Sequence, residues 1–190
     1  MEERLLTPEE QRRLLALARS VIDRKLKQRP TAPEGEAGAA LSQPAGAFVT
    51  LHKRSALRGC IGTFSADQPL IRNIEEMALA AAFNDPRFPP LTRKELAEVD
   101  LEISVLTPMR RIEHVDEIEV GRHGLYMVQG VCRGVLLPQV APENGWDRQT
   151  FLEHTCMKSG LGRNCWRDGA TEIYVFSAQV FGEKELGPAD

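Results

Sequence analysis

A cysteine and an arginine two positions apart are the residues of this sequence best placed to do chemistry. Cys60 and Arg58 lie within the run LRGCIG at residues 57–62. Residues two apart share one face of an extended strand, so we expect Arg58 and Cys60 to project together. Leu57 and Ile61 would then pack into the core on the opposite face. Because a guanidinium beside a thiol favours the thiolate, the run predicts a candidate catalytic nucleophile at Cys60.

The run contains two glycines, Gly59 and Gly62, and they predict close contacts around the thiol. Without side chains they allow another backbone or a ligand to come near Cys60. We therefore count both glycines, together with Arg58, as candidate binding residues. The alternative is that Cys60 is a small buried hydrophobic residue in a tight hairpin, since free cysteines are among the most buried residues. Spacing alone leaves both interpretations open.

His52, on the strand predicted to precede this run, is a second candidate catalytic residue. It would share the face of Cys60 if the apolar residues of its own strand point into the core. Whether the imidazole can reach the thiol depends on the register of the hairpin. With Leu51 opposite Gly59, His52 is a diagonal neighbour of Cys60, whereas with Leu51 opposite Leu57 it lies much farther away.

Arg87 and His123 are further candidate binding residues. Arg87 lies in the proline-bounded turn DPRFPP at residues 85–90, where a stiff backbone could present its guanidinium to a carboxylate or phosphate group. The alternative is that Arg87 pairs with a structural acid such as Asp85 or Glu102. His123 precedes a glycine and a predicted strand, and the ordinary pKa of histidine suits proton transfer. A histidine before glycine is, however, commonly a turn residue.

Length and composition indicate one ordinary globular domain, or one domain with two lobes. Of the 190 residues, 42% are hydrophobic and 27% are charged, values that fit a packed core. The net charge of −3 argues against nucleic-acid binding, which needs a basic surface. Because the N-terminus is acidic and no apolar run is long enough to span a membrane, we expect a cytoplasmic protein. Its four cysteines are then predicted to be free thiols, and since none form a CxxC pair, no metal site is predicted.

The hydrophobic pattern predicts hairpins and helices at irregular intervals. This order favours an α+β fold with a mainly antiparallel sheet and flanking helices over a doubly wound parallel fold. We expect a single domain over residues 5–182, with a surface loop at 28–46 and a polar tail at 183–190. The predicted helices are 8–26, 69–83, a short one from 92 and 148–158. Capping boxes of Thr7 with Glu10 and of Thr92 with Glu95 should open the first and third of them, and Asp147 should cap the last. The main predicted strands are 48–53, 57–62, 100–106, 125–129, 133–137 and 172–181.

The run LRGCIGTF at residues 57–64 resembles the signature of the AMMECR domain family, known in prokaryotes as AmmeMemoRadiSam system protein A. The resemblance covers about residues 48–181. It continues through ALAAAFNDPRFPP (78–90), LEISVLT (101–107), HGL (123–125), LLPQVAPENGWD (136–147) and residues 151–166.

The resemblance implies a two-lobed body with a cleft between the lobes. The larger lobe is built from both chain ends and the smaller from the middle, and the LRGCIG run faces the cleft. It also implies a pathway shared with a radical-SAM protein and a Memo-like protein. The chain has no CxxxCxxC motif, so the radical chemistry would belong to the partner. The resemblance implies neither a particular reaction nor a cofactor.

Two functional hypotheses follow from these residues. In the first, the protein is an enzyme or enzyme component in which Cys60 is a nucleophile or covalent carrier. In the second, it is a non-catalytic adaptor whose cleft binds a small molecule or a protein, with Arg58 and Arg87 as anion anchors and Cys60 as packing. A third reading, RNA binding, is weakened by the acidic charge balance.

Overall fold

The structure, a computed structural model, describes residues 6–30 and 38–187 in two compact units. The first unit combines the described residues up to Leu106 with those from Gln179 onward, and the second is Thr107–Ala178. Each unit contains one four-stranded sheet with antiparallel pairing, which confirms the predicted α+β class. None of the helices in the described ranges is both long enough and apolar enough to cross a membrane.

The elements alternate along the chain much as the hydrophobic pattern predicts. In chain order they are α1 (Pro8–Leu26), β1 (Ala47–Lys53), β2 (Ala56–Thr63), α2 (Leu70–Phe83), α3 (Arg93–Leu96), β3 (Val99–Leu106), β4 (Arg110–Arg111), β5 (Gly124–Gln129), β6 (Cys132–Leu136), α4 (Val140–Glu143), α5 (Arg148–Lys158), β7 (Glu172–Phe176), β8 (Ala178–Gly182) and α6 (Glu183–Leu186), with 3-10 turns at Val115–Glu117 and Cys165–Arg167.

The first unit packs α1 and α2 against one face of the sheet β2-β1-β3-β8. Helix α1 begins at a capping box formed by Thr7 and Glu10, as predicted, which satisfies backbone donors at its first turn. Its apolar stripe and that of α2 meet the inward side chains of β1 and β3. The fully buried residues of this core include Leu14, Ile22, Leu51, Leu70, Ile74, Leu101 and Ile103.

The hairpin of β1 and β2 turns tightly at two non-glycine residues and contains a bulge. Arg54 and Ser55 both have positive φ, at 51° and 67°, which is the backbone of a hairpin turn that matches the twist of the strands. The register then shifts by one residue between Leu51 and His52. A one-residue shift sends the following side chains to the other face of the strand.

The second unit surrounds a core of its own, built on the sheet β4-β7-β5-β6. Helix α5 covers this sheet, and its N-cap is Asp147, whose carboxylate accepts a hydrogen bond from the Thr150 N–H at 2.8 Å. The predicted cap and helix bounds are both confirmed. Phe151, the first large apolar residue of α5, is completely buried.

The single strand predicted at residues 172–181 is wrong. Two strands occupy this stretch, β7 in the second sheet and β8 in the first. Between them, the Ser177 N–H donates to Thr107 Oγ1 at 2.8 Å and the Ser177 carbonyl accepts from the Thr107 N–H at 2.9 Å. Because Ser177 is bound to the connecting residue Thr107, the sheet ladder is interrupted there and the chain passes from one unit to the other.

The predicted surface loop and polar tail also differ from what the structure shows. Residues 31–37 and 188–190 lie outside the described residues. In the remainder of the loop, Leu41 is buried in the first core, and its carbonyl accepts a hydrogen bond from the Ile71 N–H at the start of α2. In the tail, Glu183 begins α6 and forms an ion pair with Arg19. Both segments therefore help to hold the first unit together.

The prediction of four free thiols is wrong, because Cys156 and Cys165 form a disulfide with Cα atoms 5.9 Å apart. Helix α5 ends shortly after Cys156, and the chain turns back at Gly160, which has a positive φ. This turn brings Cys165, nine residues further on at the start of a 3-10 turn, next to Cys156. Cys60 and Cys132 are the free cysteines, and both are partly exposed.

Candidate functional site

The sheet face of the first unit that points away from α1 and α2, called the outer face below, carries a row of polar side chains. Cys60 on β2 lies directly opposite Thr50 on β1, and Thr50 lies directly opposite Glu102 on β3. All three side chains are half-buried, whereas their neighbours in sequence on β1 and β3 point into the core. The pairing thus places a thiol, a hydroxyl and a carboxylate side by side across three strands.

Cys60 makes one side-chain hydrogen bond, in which Thr50 Oγ1 donates to Sγ at 3.2 Å. Because Cys60 is half-buried, its sulfur is neither sealed in the core nor fully solvated. This environment suits a nucleophile better than the buried packing role that was the alternative.

The register of the hairpin makes His52 a diagonal neighbour of Cys60. Leu51 lies opposite Gly59, which is the nearer of the two registers that the sequence left open. Diagonal neighbours on one sheet face are roughly 7–8 Å apart between their Cα atoms, within reach of long side chains or of one bridging water. Within residues 6–30 and 38–187 the structure records no hydrogen bond or ion pair for the side chains of His52 or Glu102. Both groups are therefore available to a substrate.

The predicted placement of Leu57 in the core is wrong, and the bulge is the reason. Leu57 lies opposite His52 and is 42% exposed. Arg58 is the extra residue of the bulge, between the pairs that Leu57 and Gly59 make with β1. Strict alternation from Cys60 back to Arg58 therefore does not hold, and the expected shared face is lost.

Arg58 is bound to the structure around α3. Its guanidinium donates to both carboxylate oxygens of Glu95 at 3.2 Å and to the Pro89 carbonyl at 2.9 Å, and it lies over the ring of Phe88. The hydrogen bonds from Arg58 lower the pKa of Glu95 to about 2. With only 9% of its side chain exposed, Arg58 ties the edge strand to α3 rather than presenting a free cation.

Arg87 is the arginine that reaches Cys60, and it does so together with Asp85. The Asp85 carboxylate accepts a hydrogen bond from the Cys60 N–H at 2.9 Å, while Arg87 Nη2 donates to the Cys60 carbonyl at 3.0 Å. Arg87 also donates to both carboxylate oxygens of Asp85, at 2.9 and 2.7 Å. This Asp85–Arg87 clamp supplies the acceptor and the donor that a neighbouring strand would otherwise provide to the free edge of β2.

The charges of the clamp stabilise each other. Hydrogen bonding from Arg87 holds the pKa of Asp85 well below its usual range, although burial of the carboxyl opposes this, and the same contact raises the pKa of Arg87. Asp85 is 1% exposed as a side chain, whereas Arg87 is 54% exposed. The clamp therefore consists of a buried anion that holds a cation on the surface beside the thiol strand.

Replacing Asp85 by asparagine (Asp85→Asn) is expected to lower the free energy of unfolding by about 2 kcal/mol at neutral pH, because a hydrogen bond to a charged group contributes roughly 1.5–3 kcal/mol. Since folding lowers the pKa of Asp85, the advantage of the wild type is complete above the ordinary aspartate pKa of about 4. This stability advantage diminishes as the pH falls below that value, towards the lower pKa that Asp85 has in the folded protein. Urea unfolding at pH 7 and pH 2.5 measures both effects.

Asp23→Asn is the matched control for this prediction. Asp23 pairs with Lys27 on the surface of α1, and such exposed pairs contribute at most about 1 kcal/mol. An Asp85→Asn protein as stable as the Asp23→Asn protein at pH 7 would show that the clamp does not hold the edge strand.

The two glycines of the run accommodate protein atoms. A Cβ placed on Gly59 would lie 2.3 Å from the Ala81 carbonyl oxygen, so its absence allows α2 to pack directly on the strand. A Cβ on Gly62 would lie 2.2 Å from the ring of Phe48. Close approach by another backbone was one of the two possibilities that the sequence left open, and it is the one observed at Gly59.

His123 lies in the second unit, where its side chain closes a turn. Its Nδ1 accepts a hydrogen bond from the Glu119 N–H at 3.1 Å, and the residue is 9% exposed. Burial lowers the pKa of His123, which favours the neutral ring that can accept this bond. His123 is therefore a turn residue in this structure, as a histidine before glycine commonly is.

The rest of the chain, as far as the structure describes it, contributes no second reactive cluster. Among the described residues there is no group of three or more histidine, cysteine, aspartate or glutamate side chains arranged to hold a metal ion. A groove of about 670 Å³ in the first unit is lined by residues of α1, α3 and α6 and not by Cys60. Four of its charged groups pair with each other, Arg19 with Glu183 and Lys27 with Asp23. We therefore place the candidate site on the outer face.

Thr50 is the site residue that the sequence analysis missed. The signal was present, since Thr50 and His52 alternate with the buried residues Val49 and Leu51 along β1. An alternation of polar and apolar residues identifies the outward-facing residues of a strand. What could not be read was which residue of β2 would stand opposite Thr50, because the bulge sets that register.

Comparison with known proteins places this fold in one class of α+β proteins. The family model AMMECR1 matches residues 15–181. Protein NEQ441 of Nanoarchaeum equitans is 41% identical, with 90% of this chain and 98% of that protein covered. A protein of Methanosarcina acetivorans is 43% identical, with 95% of each covered. The crystal structure of uncharacterized protein PH0010 from Pyrococcus horikoshii has a TM-score of 0.83 and 39% identity, with 94% of each chain covered.

The chain therefore belongs to the AMMECR1 family. The match spans both units and includes the hairpin that carries Cys60 and the turn that carries Arg87. The resemblance identified from the LRGCIG run is confirmed at the level of the family.

Proposed function

We propose that this protein is a cysteine-dependent enzyme component, in which Cys60 forms a covalent bond with the substrate. The observation that carries the proposal is the row of Cys60, Thr50 and Glu102 with His52 as a diagonal neighbour. A half-buried thiol that accepts a hydrogen bond, with an imidazole and a carboxylate on the same face, contains the groups that nucleophilic catalysis by cysteine uses.

The proposed reaction is transfer of an electrophilic group through the Cys60 sulfur. The thiol proton passes to the imidazole of His52, directly or through one water, and the sulfur electron pair forms a bond to the electrophilic carbon. The bond from that carbon to its leaving group breaks, and the leaving group takes the electron pair and then the proton. A second nucleophile later displaces the sulfur, which returns Cys60 to the thiol.

In this proposal the protein acts in the cytoplasm, in a pathway shared with a radical-SAM protein and a Memo-like protein. The support for this step is membership of the AMMECR1 family together with the sequence resemblance described above. A thiol on the outer face fits the role of an accessory component that accepts or passes on a group made elsewhere in the pathway.

The adaptor hypothesis is less well supported by the geometry. Its anion anchors were Arg58 and Arg87, and both guanidinium groups are already paired, with Glu95 and Asp85 respectively. An adaptor would also have no use for an accessible thiol, whereas Cys60 is partly exposed.

Thiol reactivity tests the proposal directly, and Cys132 provides the internal control. Both are free and partly exposed, and the remaining two cysteines are in the disulfide. In limited iodoacetamide labelling of the native protein between pH 6 and 9, read by peptide mass spectrometry, we expect Cys60 to react faster than Cys132, most clearly below pH 8. A Cys60 that reacts no faster than Cys132 across this range would contradict a catalytic thiol and favour the adaptor.

A further inference from the structure

Glu102 is the uncompensated charge of the outer face. It is half-buried, lies opposite Thr50, and has no recorded ion pair or hydrogen bond with any residue in the described ranges. Its neighbour along the strand on the same face, Asp100, pairs with Lys184 at 2.9 Å. On the edge strand, the charge of Arg87 is balanced by Asp85.

The surroundings of Glu102 leave room for a bound group. On the side of β8 its neighbour is Gly182, where a Cβ would lie 3.8 Å from the Glu102 Cβ. Because residue 182 is a glycine, it places no side chain of its own over that flank of the carboxylate. On the other side stands the short side chain of Thr50, beyond which lies Cys60. A small molecule lying across Thr50 could therefore contact the carboxylate and the thiol together.

The separation of the two groups sets the size of such a molecule. Cys60 and Glu102 lie on strands that both pair with β1, so their backbones are two strand spacings apart, about 10 Å. The glutamate side chain extends over part of this gap. A ligand that bridges the rest needs a positive group a few bonds away from its reactive atom.

We propose that Glu102 binds a positively charged group of the substrate, a protonated amine or a guanidinium, while the electrophilic atom of the same molecule reacts with Cys60. This inference rests on the proposed function, because it requires Cys60 to be the nucleophile. A half-buried carboxylate without a partner is the complement of such a cation, and a charge-assisted hydrogen bond between them fixes the orientation of the substrate. Glu102 is thus the residue that selects the substrate by charge.

Charged methanethiosulfonate reagents test the inference without the natural substrate. In each reaction the Cys60 thiolate attacks the reagent sulfur, a mixed disulfide forms and methanesulfinate leaves. We compare the 2-aminoethyl reagent, which is a cation, with the neutral methyl reagent, in a Cys132→Ser protein where Cys60 is the free thiol. The ratio of the two rate constants, normalised to a free thiol in solution, is expected to favour the cation by roughly fivefold, the size of an attraction between unit charges about 5 Å apart in largely aqueous surroundings.

Glu102→Gln should abolish most of this preference, which is measured as the ratio of the cationic to the neutral rate constant in each protein, so that a change in the reactivity of the thiol itself cancels. The matched control is Glu9→Gln, which removes the same charge from an exposed position on α1, the helix layer on the opposite face of the sheet. The control should keep the preference. If Glu102→Gln does not fold, the wild-type preference should instead fall between 20 mM and 500 mM salt, because salt screens the carboxylate.

The possible failures are distinguishable. A reactive Cys60 with no preference for the cation, or a preference that survives in Glu102→Gln, overturns the role of Glu102 but leaves the catalytic thiol intact. A Cys60 that reacts with neither reagent at a rate above that of a buried thiol overturns the proposed function itself, and the charge selection with it.

Discussion

A Cys60→Ala variant is expected to fold and yet to lose the cellular function of the protein completely. Removing the sulfur takes away the only atom that can form the proposed covalent bond, so no residual turnover by the same route is possible. The fold should tolerate the change, because Cys60 is half-buried and its backbone N–H and carbonyl remain held by the Asp85–Arg87 clamp. Complementation of a strain that lacks the gene measures the function, and thermal unfolding measures the fold.

Two further variants make this prediction specific. Cys60→Ser keeps a hydroxyl nucleophile that is ionised far less readily than a thiol, so we expect the same loss of function. Cys132→Ala removes the other free thiol and should complement fully. If a folded Cys60→Ala protein complements as well as the Cys132→Ala protein does, the catalytic thiol is excluded and the adaptor hypothesis stands.

The helices could be predicted from the sequence because their ends are encoded locally. Thr7 with Glu10, and Thr92 with Glu95, form capping boxes at the predicted positions, and Asp147 caps α5 as expected. Each of these signals depends on side chains and backbone donors within one helical turn, so no knowledge of tertiary structure is needed.

The arrangement of the site could be predicted only in part, because a bulge depends on the partner strand. Alternation from Cys60 predicted a shared face with Arg58, but the extra residue in β2 moves Leu57 outward and leaves Arg58 with Glu95. The cation beside the thiol strand comes instead from Arg87, which is far along the chain. Contacts of this kind depend on how a turn folds back on an edge strand, and spacing does not contain that information.

The break at Ser177 and the disulfide were missed for a similar reason. Residues 172–181 alternate like one strand, but the hydrogen bonds of Ser177 to Thr107 divide them between two sheets. We expected Cys156 and Cys165 to be free thiols because we expected a cytoplasmic protein, whereas their pairing follows from where α5 ends. In both cases a contact made by tertiary structure overrides a regular local pattern.

Gly59→Ala is expected to destabilise the first unit by about 3 kcal/mol, which is the upper part of the range for overpacking a closely packed site. The added Cβ would lie 2.3 Å from the carbonyl oxygen of Ala81 in α2, and this atom is backbone rather than the end of a flexible side chain. To relieve the contact, α2 must move away from β2 along a core that is otherwise close-packed. Urea unfolding monitored by far-UV circular dichroism measures the loss.

Gly182→Ala is the matched control, since Gly182 is a glycine of the same sheet at which an added Cβ meets its nearest atom, the Leu101 carbonyl oxygen, at an ordinary 3.4 Å. We expect this variant to be within about 0.5 kcal/mol of the wild type, as surface substitutions usually are. The comparison also decides whether Gly59 serves packing or ligand binding. If Gly59→Ala is as stable as Gly182→Ala but loses function, Gly59 makes room for a ligand, contrary to the structure. If it is destabilised as expected, the glycine serves the packing that fixes the strand of Cys60, and the chemistry of the run is left to the thiol.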